Sequence, residues 1–344
     1  MSTDTVELLE RVLAGSDLSE AEAASVLRSM AEDKIPPALA GGLLIALRHK
    51  GEAASEIRGF AQAMRELSRR PDIPAGGPYV DIVGTGGDNS GSLNLSTGSA
   101  LLAAASGLQV VKHGNRSISS RSGSADALEA LGLPIPLDEA QAGQSLAALG
   151  FTFLFAPHYH PAMKSIGPVR GALGVRTVFN ILGPLANPVS PPFHVIGAFS
   201  EEMAEVMAQT LSGMDAERSF VVHGAPGWDE ATPVGPFLCF DVRHGLVQRS
   251  VRDPADLGIA RCSAEDLLGG EAGDNSARLA AALRGEDTPA HRDALVLGAA
   301  LALEVTGAEP DAESAVRRAR QAIDDGSAAE FLERLQAFGQ ELRA

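Results

Sequence analysis

Cysteine is scarce in this chain. Cys239 and Cys262 are the only 2 among 344 residues, and their isolation forms neither a zinc-ligand spacing nor a disulfide framework. With the 8 histidines scattered as well, inert or buried thiols in a reducing compartment are expected. Basic residues are outnumbered, 28 Lys and Arg against 44 Asp and Glu, for a net charge of −16. Sequence-independent nucleic-acid binding needs a broad basic surface, and this balance argues against it. Long apolar runs are missing too. Glycine and polar residues interrupt each one well short of the roughly 20 residues of a membrane span. Met1-Ser2-Thr3-Asp4 opens with no basic segment leading into an apolar run, so no signal peptide is expected and a cytoplasmic location is. No Ser-His-Asp or Cys-His set, internal repeat or low-complexity tract is visible.

What is present is enough for a folded protein. Apolar residues make up 45% and charged residues 21%, which supports one large or two modest buried cores and argues against disorder. Residues 4–70 read as four helices. Val6, Leu9 and Leu13 fall at helical spacing, Gly15 stops that run, Ser19 to Glu22 fits a capping box, and Pro36-Pro37 starts a third helix. A Pro- and Gly-rich linker over 70–78 follows. Strand and helix patterns then alternate: strands over 79–83, 110–112, 151–155, 194–199, 219–223 and 237–242, with helices near 97–106, 125–131, 139–149 and 201–211. Alternation of this kind predicts an α/β sheet covered by helices. The Gly/Pro-punctuated stretch 167–187 has a helical core and is expected to leave the sheet and rejoin the helical part. The tail from 264 reads as mostly helical.

Three glycine-rich turns within 46 residues carry the chemistry. Gly84-Thr85-Gly86-Gly87-Asp88 leaves a strand, and glycines there let a ligand approach the backbone. It is neither a Walker A sequence nor a dinucleotide fingerprint. Alone, it serves equally as a ligand-free β–α turn. Asn94, Ser96 and Thr97 open a small-residue helix, where a hydroxyl either caps the helix or meets phosphate and its magnesium. Lys112-His113-Gly114-Asn115-Arg116-Ser117 ends the neighbouring strand. Lys112 is a point charge suited to diphosphate, whereas His113 fits a ligand or a packing role. The local cations for a polyphosphate would be Lys112, Arg116, Arg121, Lys164 and Arg170. Asp229-Glu230 suits a hard cation or a solvated loop, and Arg170 a substrate carboxylate or plain surface charge. Together the turns suggest a site for a highly phosphorylated small molecule.

At these residues the chain resembles the anthranilate phosphoribosyltransferases. The matches are GTGGD at Gly84–Asp88, NxST at Asn94–Thr97, KHGNRS at Lys112–Ser117, SGSAD at Ser122–Asp126, and Tyr159-His160-Pro161-Ala162-Met163. They continue through Pro168-Val169-Arg170, TVFNILGPL over 177–185, and His223-Gly224 with Asp229-Glu230. The likeness spans nearly the whole chain in family order. Departures are modest: Gly167 for alanine, Ala53 for a capping threonine, Ser92-Leu93 for Thr-Phe, Trp228 for leucine and Gly298 for asparagine. None removes a proposed ligand.

The resemblance implies a small helical domain, 1–72 joined by part of 164–188, and a large α/β domain, 73–344. The latter's central sheet would be mixed and mostly parallel, of the nucleoside phosphorylase/phosphoribosyltransferase type. It implies transfer of the phosphoribosyl group of phosphoribosyl diphosphate to anthranilate, in tryptophan biosynthesis, by a homodimer joined through the helical domain and using two magnesium ions per monomer. For the donor it implies Gly84, Gly87, Asp88, Ser92, Asn94, Ser96, Thr97, Lys112, Asn115, Arg116, Ser117, Ser119, Ser120 and Ser124. For anthranilate it implies Gly84, His113, Asn115, Met163 and Arg170. For metal it implies Ser96, Asp229 and Glu230. Two rivals are a nucleoside phosphorylase of the same broad fold, whose phosphate-loop pattern differs, and a non-catalytic nucleic-acid-binding relative, which would want a basic cleft. A purely structural protein would leave the loop constellation unexplained.

Overall fold

The structure, a computed structural model, describes residues 2–88, 90–116 and 122–344. Four helices come first: α1 (Ser2–Leu13), α2 (Glu20–Ala31), α3 (Pro37–Lys50) and α4 (Ala54–Glu66). Their starts follow the local chemistry. The Ser19 hydroxyl accepts the Glu22 N–H at 3.3 Å while the Glu22 carboxylate accepts the Ser19 N–H at 2.9 Å, which closes the capping box of α2. At α4 the cap position is Ala53 and offers no side-chain acceptor. There Glu56 takes the Ala53 N–H at 2.8 Å, the Leu18 N–H at 2.9 Å and the Lys50 ammonium at 3.0 Å. This buried carboxylate thus joins the ends of α3 and α4 to the α1–α2 turn.

The rest of the chain builds one seven-stranded sheet in the order β3-β2-β1-β4-β5-β6-β7. The strands are β1 (Tyr79–Gly84), β2 (Gln109–Gly114), β3 (Phe151–Phe155), β4 (Phe193–Gly197), β5 (Arg218–His223), β6 (Phe237–Arg243) and β7 (Leu246–Arg252). The first five pair in parallel, and β6 and β7 are antiparallel. Between them run α5 (Leu95–Ala105), α6 (Ser124–Leu131), α7 (Glu139–Leu149), the single turn α8 (Ala156–Tyr159), α9 (Met163–Leu173) and α10 (Glu201–Ser212). Four helices close the chain: α11 (Ala272–Leu283), α12 (Pro289–Val305), α13 (Ala312–Asp324) and α14 (Ser327–Glu341). The strand β7 was not expected from the sequence. As the sheet's edge it buries neither face fully, and Leu246 and Val251 stay exposed.

Two large buried clusters lie on the two faces of the sheet, and a small third one joins Tyr79, Val111 and Leu146. On one face, α5 is apolar all round and packs against the sheet and α12, so nearly every one of its residues is buried. On the other, the cores of α1–α4 run continuously into Met207 and Leu211 of α10 and Val221 and Phe240 of the sheet. The segment after α8 joins this second cluster: α9 packs on α2 and α3, and Phe179 meets Phe60 edge-to-face at 6.0 Å. No helix among the described residues is long and apolar enough to cross a membrane.

The sheet order places the site. From β1 the chain crosses to β2 and β3 on one side, and later to β4 and β5 on the other. The carboxyl ends of β1 and β4 therefore flank a topological switch point, the place where open α/β sheets leave a crevice.

Candidate active site

Three strand-end glycines let a distant loop cross the rim of this crevice. A Cβ on Gly84 would fall 2.2 Å from an Asp229 carboxylate oxygen, one on Gly197 1.4 Å from the Asp229 carbonyl oxygen, and one on Gly224 1.8 Å from the Glu230 carbonyl oxygen. No side chain fits there, so residues 229–230 lie directly over the ends of β1, β4 and β5. Asp229 accepts the Gly86 N–H at 2.6 Å, and its own N–H reaches Asp88 at 3.3 Å. Glu230 accepts the Ser96 N–H at 2.9 Å and the Ser92 hydroxyl at 3.5 Å. The solvated-loop alternative for this pair therefore does not hold. Nor does Ser96 cap α5: Asn94 is the cap residue, without a side-chain cap bond, and the Glu230 carboxyl accepts the Ser96 N–H at that helix end.

Lys112 rises from β2 into the same place and is fully buried. Its ammonium donates to the Ile82 carbonyl and lies 3.4 Å from the Ser96 hydroxyl. Burial pulls it down to about 8, against the opposing pull of Asp81, Glu230 and Asp229. Asp81 lies behind it, taking Asn187 Nδ2 at 2.9 Å and the His113 N–H at 3.3 Å, and burial pushes its carboxyl up to about 6. Burial first, then the charge of Asp88, pushes Asp229 up to about 7. Glu230 is raised well above the usual carboxylate range by burial and then by Asp229. The cluster is thus richer in carboxylate than one ammonium balances.

Those residues fit magnesium. The ion takes one or two carboxylates and completes its shell with substrate phosphates and water. Among the described residues no three His, Cys, Asp or Glu side chains form a ready-made cage.

The remaining candidates are distributed around this centre. Asn94 bridges the Ser122 carbonyl at 3.0 Å and Asn275 at 2.9 Å, and Ser92 touches Ser90 at 3.1 Å. The buried Thr97 hydroxyl has no protein partner. Gly87 has φ +79°, a conformation that suits glycine. The Ser124 hydroxyl donates to the Asn115 carbonyl at 3.1 Å, tightening the turn after β2. Arg116 is turned toward α6, paired with Asp126 at 2.8 Å and Glu129 at 2.5 Å. Ser117, Ser119, Ser120 and Arg121 lie outside the described residues.

His113 is buried, with Nδ1 3.0 Å from the Gly183 carbonyl and Nε2 3.1 Å from His160 Nε2. A carbonyl only accepts, so His113 carries its proton on Nδ1 and His160 donates to its Nε2. Burial holds both rings neutral, at about 3 and about 4. This matches the packing alternative, since neither ring nitrogen of His113 is left free. On α9, Met163 is half-buried in the helical core. Arg170 lies over the Phe179 ring at 5.3 Å, and among the described residues no carboxylate pairs with it. An unpaired guanidinium on an aromatic face can bind an aromatic carboxylate.

Asp81, Asn187, His160 and Arg176 were not singled out from the sequence. Asp81 alone carried a signal, a charge inside an otherwise apolar strand.

A helical bundle, a mostly parallel sheet and a glycine-turn crevice with buried lysine and carboxylates define a two-part glycosyl transferase. The family model for the helical bundle domain of glycosyl transferases matches residues 6–68, and that for the a/b domain matches residues 76–329. The anthranilate phosphoribosyltransferase of Rhodospirillum rubrum is 45% identical, the alignment covering 98% of this chain and 96% of that one. That of Desulforudis audaxviator is 44% identical over 96% and 95%. A crystal structure of the Thermus thermophilus enzyme superposes with a TM-score of 0.90 at 42% identity, covering 96% of this chain and 99% of that one. The Saccharomyces cerevisiae enzyme, solved with phosphoribosyl diphosphate and magnesium, shares the fold at a TM-score of 0.88 and 24% identity, over 99% of both chains. The chain belongs to the anthranilate phosphoribosyltransferases, and its activity is theirs, in tryptophan biosynthesis.

Proposed function

We propose that the crevice at the ends of β1 and β4 binds phosphoribosyl diphosphate and that anthranilate attacks its sugar C1 there. The products are N-(5-phosphoribosyl)anthranilate and diphosphate. The observation that carries this reading is the convergence of the Gly84–Asp88 turn, the amino end of α5, Lys112 and Asp229-Glu230 on one point. The chemistry needs little acid–base help, because an aromatic amine is neutral near pH 7 and its lone pair is free. The barrier is departure of diphosphate from C1, with positive charge growing on the ribose. Preorganised donors aimed at the leaving group supply the main stabilisation.

In this reading the glycine turn, through the Gly87 N–H, and Ser92, Asn94, Thr97 and Lys112 hold the diphosphate. Asn115 and Ser124 would line the remainder of the donor site. Lys112, kept dry between Asp81 and Glu230, places its ammonium charge beside the departing oxygens. Arg170 takes the anthranilate carboxylate, while Met163, His113 and Asn115 shape the path to it. Two magnesium ions per monomer, one held by Ser96 and Glu230 and one by Asp229 and Glu230, would add positive charge at the leaving group. Residues 1–72 with part of 164–188 would close on 73–344, excluding water that would otherwise hydrolyse the donor. The assembly is a homodimer through the helical domain, located in the cytoplasm.

Anthranilate is fluorescent, so its consumption reports turnover directly. Fluorescence should fall only when protein, donor and magnesium are all present. Loss of signal without donor, or phosphorolysis of thymidine or uridine in its place, would overturn the reading.

A further inference from the structure

Arg176 lies in the turn after α9, apart from the residues assigned to donor, anthranilate and metal. Its guanidinium rests on the face of Phe199 at 4.5 Å and donates to the Gly86 carbonyl at 3.4 Å. It also fills the space beside Gly87, where a Cβ would fall 1.2 Å from its Nη2. Its own carbonyl accepts Arg48 Nη1 of α3 at 2.9 Å. Among the described residues no carboxylate pairs with this guanidinium. The N–H of the same glycine, Gly86, donates to Asp229 at 2.6 Å. The glycine turn is therefore gripped from both sides, by an arginine from the α9 segment and by a carboxylate from the loop after β5.

We infer that Arg176 is a positioning residue for the phosphoribosyl donor. The Thr85 and Gly86 N–H groups are already taken, by the Gly197 carbonyl at 2.9 Å and by Asp229 at 2.6 Å. By holding the Gly86 carbonyl, Arg176 therefore fixes the peptide plane that presents the remaining donor, the Gly87 N–H. A glycine turn has little rigidity of its own. The Phe199 ring, next to the end of β4, holds the planar guanidinium in place by cation–π attraction. The Arg48 contact links this clamp to the helical bundle, so the turn takes its working shape when bundle and sheet are in register. A lysine would keep the charge but not the planar fork that both stacks and donates. The inference rests on the reading that the Gly84–Asp88 turn receives the donor.

The test compares Arg176→Ala, Arg176→Lys, Phe199→Leu and Lys112→Ala with the parent, using steady-state kinetics and calorimetric binding of inorganic diphosphate with magnesium. For Arg176→Ala, the donor KM and the diphosphate Kd should rise together by about tenfold, with the anthranilate KM changed by less than about threefold. Arg176→Lys should recover less than half of that loss, and Phe199→Leu should shift the same constants in the same direction. Lys112→Ala separates the two levels. If it weakens diphosphate binding while Arg176→Ala and Arg176→Lys leave it unchanged, this inference fails and the donor-site reading stands. If Lys112→Ala leaves diphosphate binding unchanged, both fail. An equal rise in both KM values for Arg176→Ala or, should that variant not fold, for Arg176→Lys would also overturn the positioning role.

Discussion

Single residues in this crevice hold charge that water would otherwise screen, and their effects should be separable. A charge-assisted hydrogen bond to a carboxylate is worth about 1.5–3 kcal/mol. Arg170→Ala should therefore raise the anthranilate KM roughly ten- to a hundredfold while leaving the donor KM nearly unchanged; equal effects on both substrates would remove Arg170 from the anthranilate site. Asp229 makes a prediction in pH. Its folded value of about 7 stands above its ordinary 3.8, so the folded protein keeps a proton that the unfolded chain releases between those values. In magnesium-free protein, the contribution of Asp229 to stability is full below pH 3.8 and is lost as pH rises through about 7. Melting temperatures across pH 5–8 should accordingly decline more steeply in the parent than in Asp229→Asn, and a shallower decline in the parent would contradict the assignment. The residues with a chemical signature in sequence, Lys112 and the Asp229-Glu230 pair, were legible as candidates, and the structure brings them together around Ser96. The Arg176 clamp was not, because its partners are a main-chain carbonyl, a glycine gap and a ring brought near only by the fold.

At the level of elements, the glycines at the strand ends matter as space rather than as flexibility. A methyl group on Gly197 must displace the Asp229 backbone, and overpacking of this kind costs about 1–3 kcal/mol. Gly197→Ala should lower the melting temperature and raise the donor KM together, since the moved loop carries the carboxylates. A variant with normal stability and donor KM would show that the loop's position is immaterial. Most elements were visible in advance: α7 and β3 have the predicted limits, and other strands differ by a residue or two at their ends. The miss was β7, whose charged and polar residues look like surface loop because one edge and much of both faces meet water. The close approaches at Gly84, Gly197 and Gly224 were invisible too, because they join segments brought together only by the folded sheet.

For the whole molecule, the helical bundle packs onto one face of the sheet, and Arg176, held by Arg48 of the bundle, reaches across to Gly86 and Phe199 at the strand ends. The bundle also exposes Val6 and Leu13 on α1 and Ile45 on α3, helices that pack together. These apolar side chains support the proposed dimer. Leu13→Glu combined with Ile45→Glu should give a folded monomer by light scattering, and an unchanged dimer mass would move the interface elsewhere. The mechanism as a whole depends on where the sugar donor sits, and a crystal grown with phosphoribosyl diphosphate and magnesium tests that most directly. It should show diphosphate oxygens within hydrogen-bonding reach of the Gly87 N–H and the Lys112 ammonium, with metal beside Asp229 or Glu230. Donor bound elsewhere, with these groups still bonded only to one another, would contradict it.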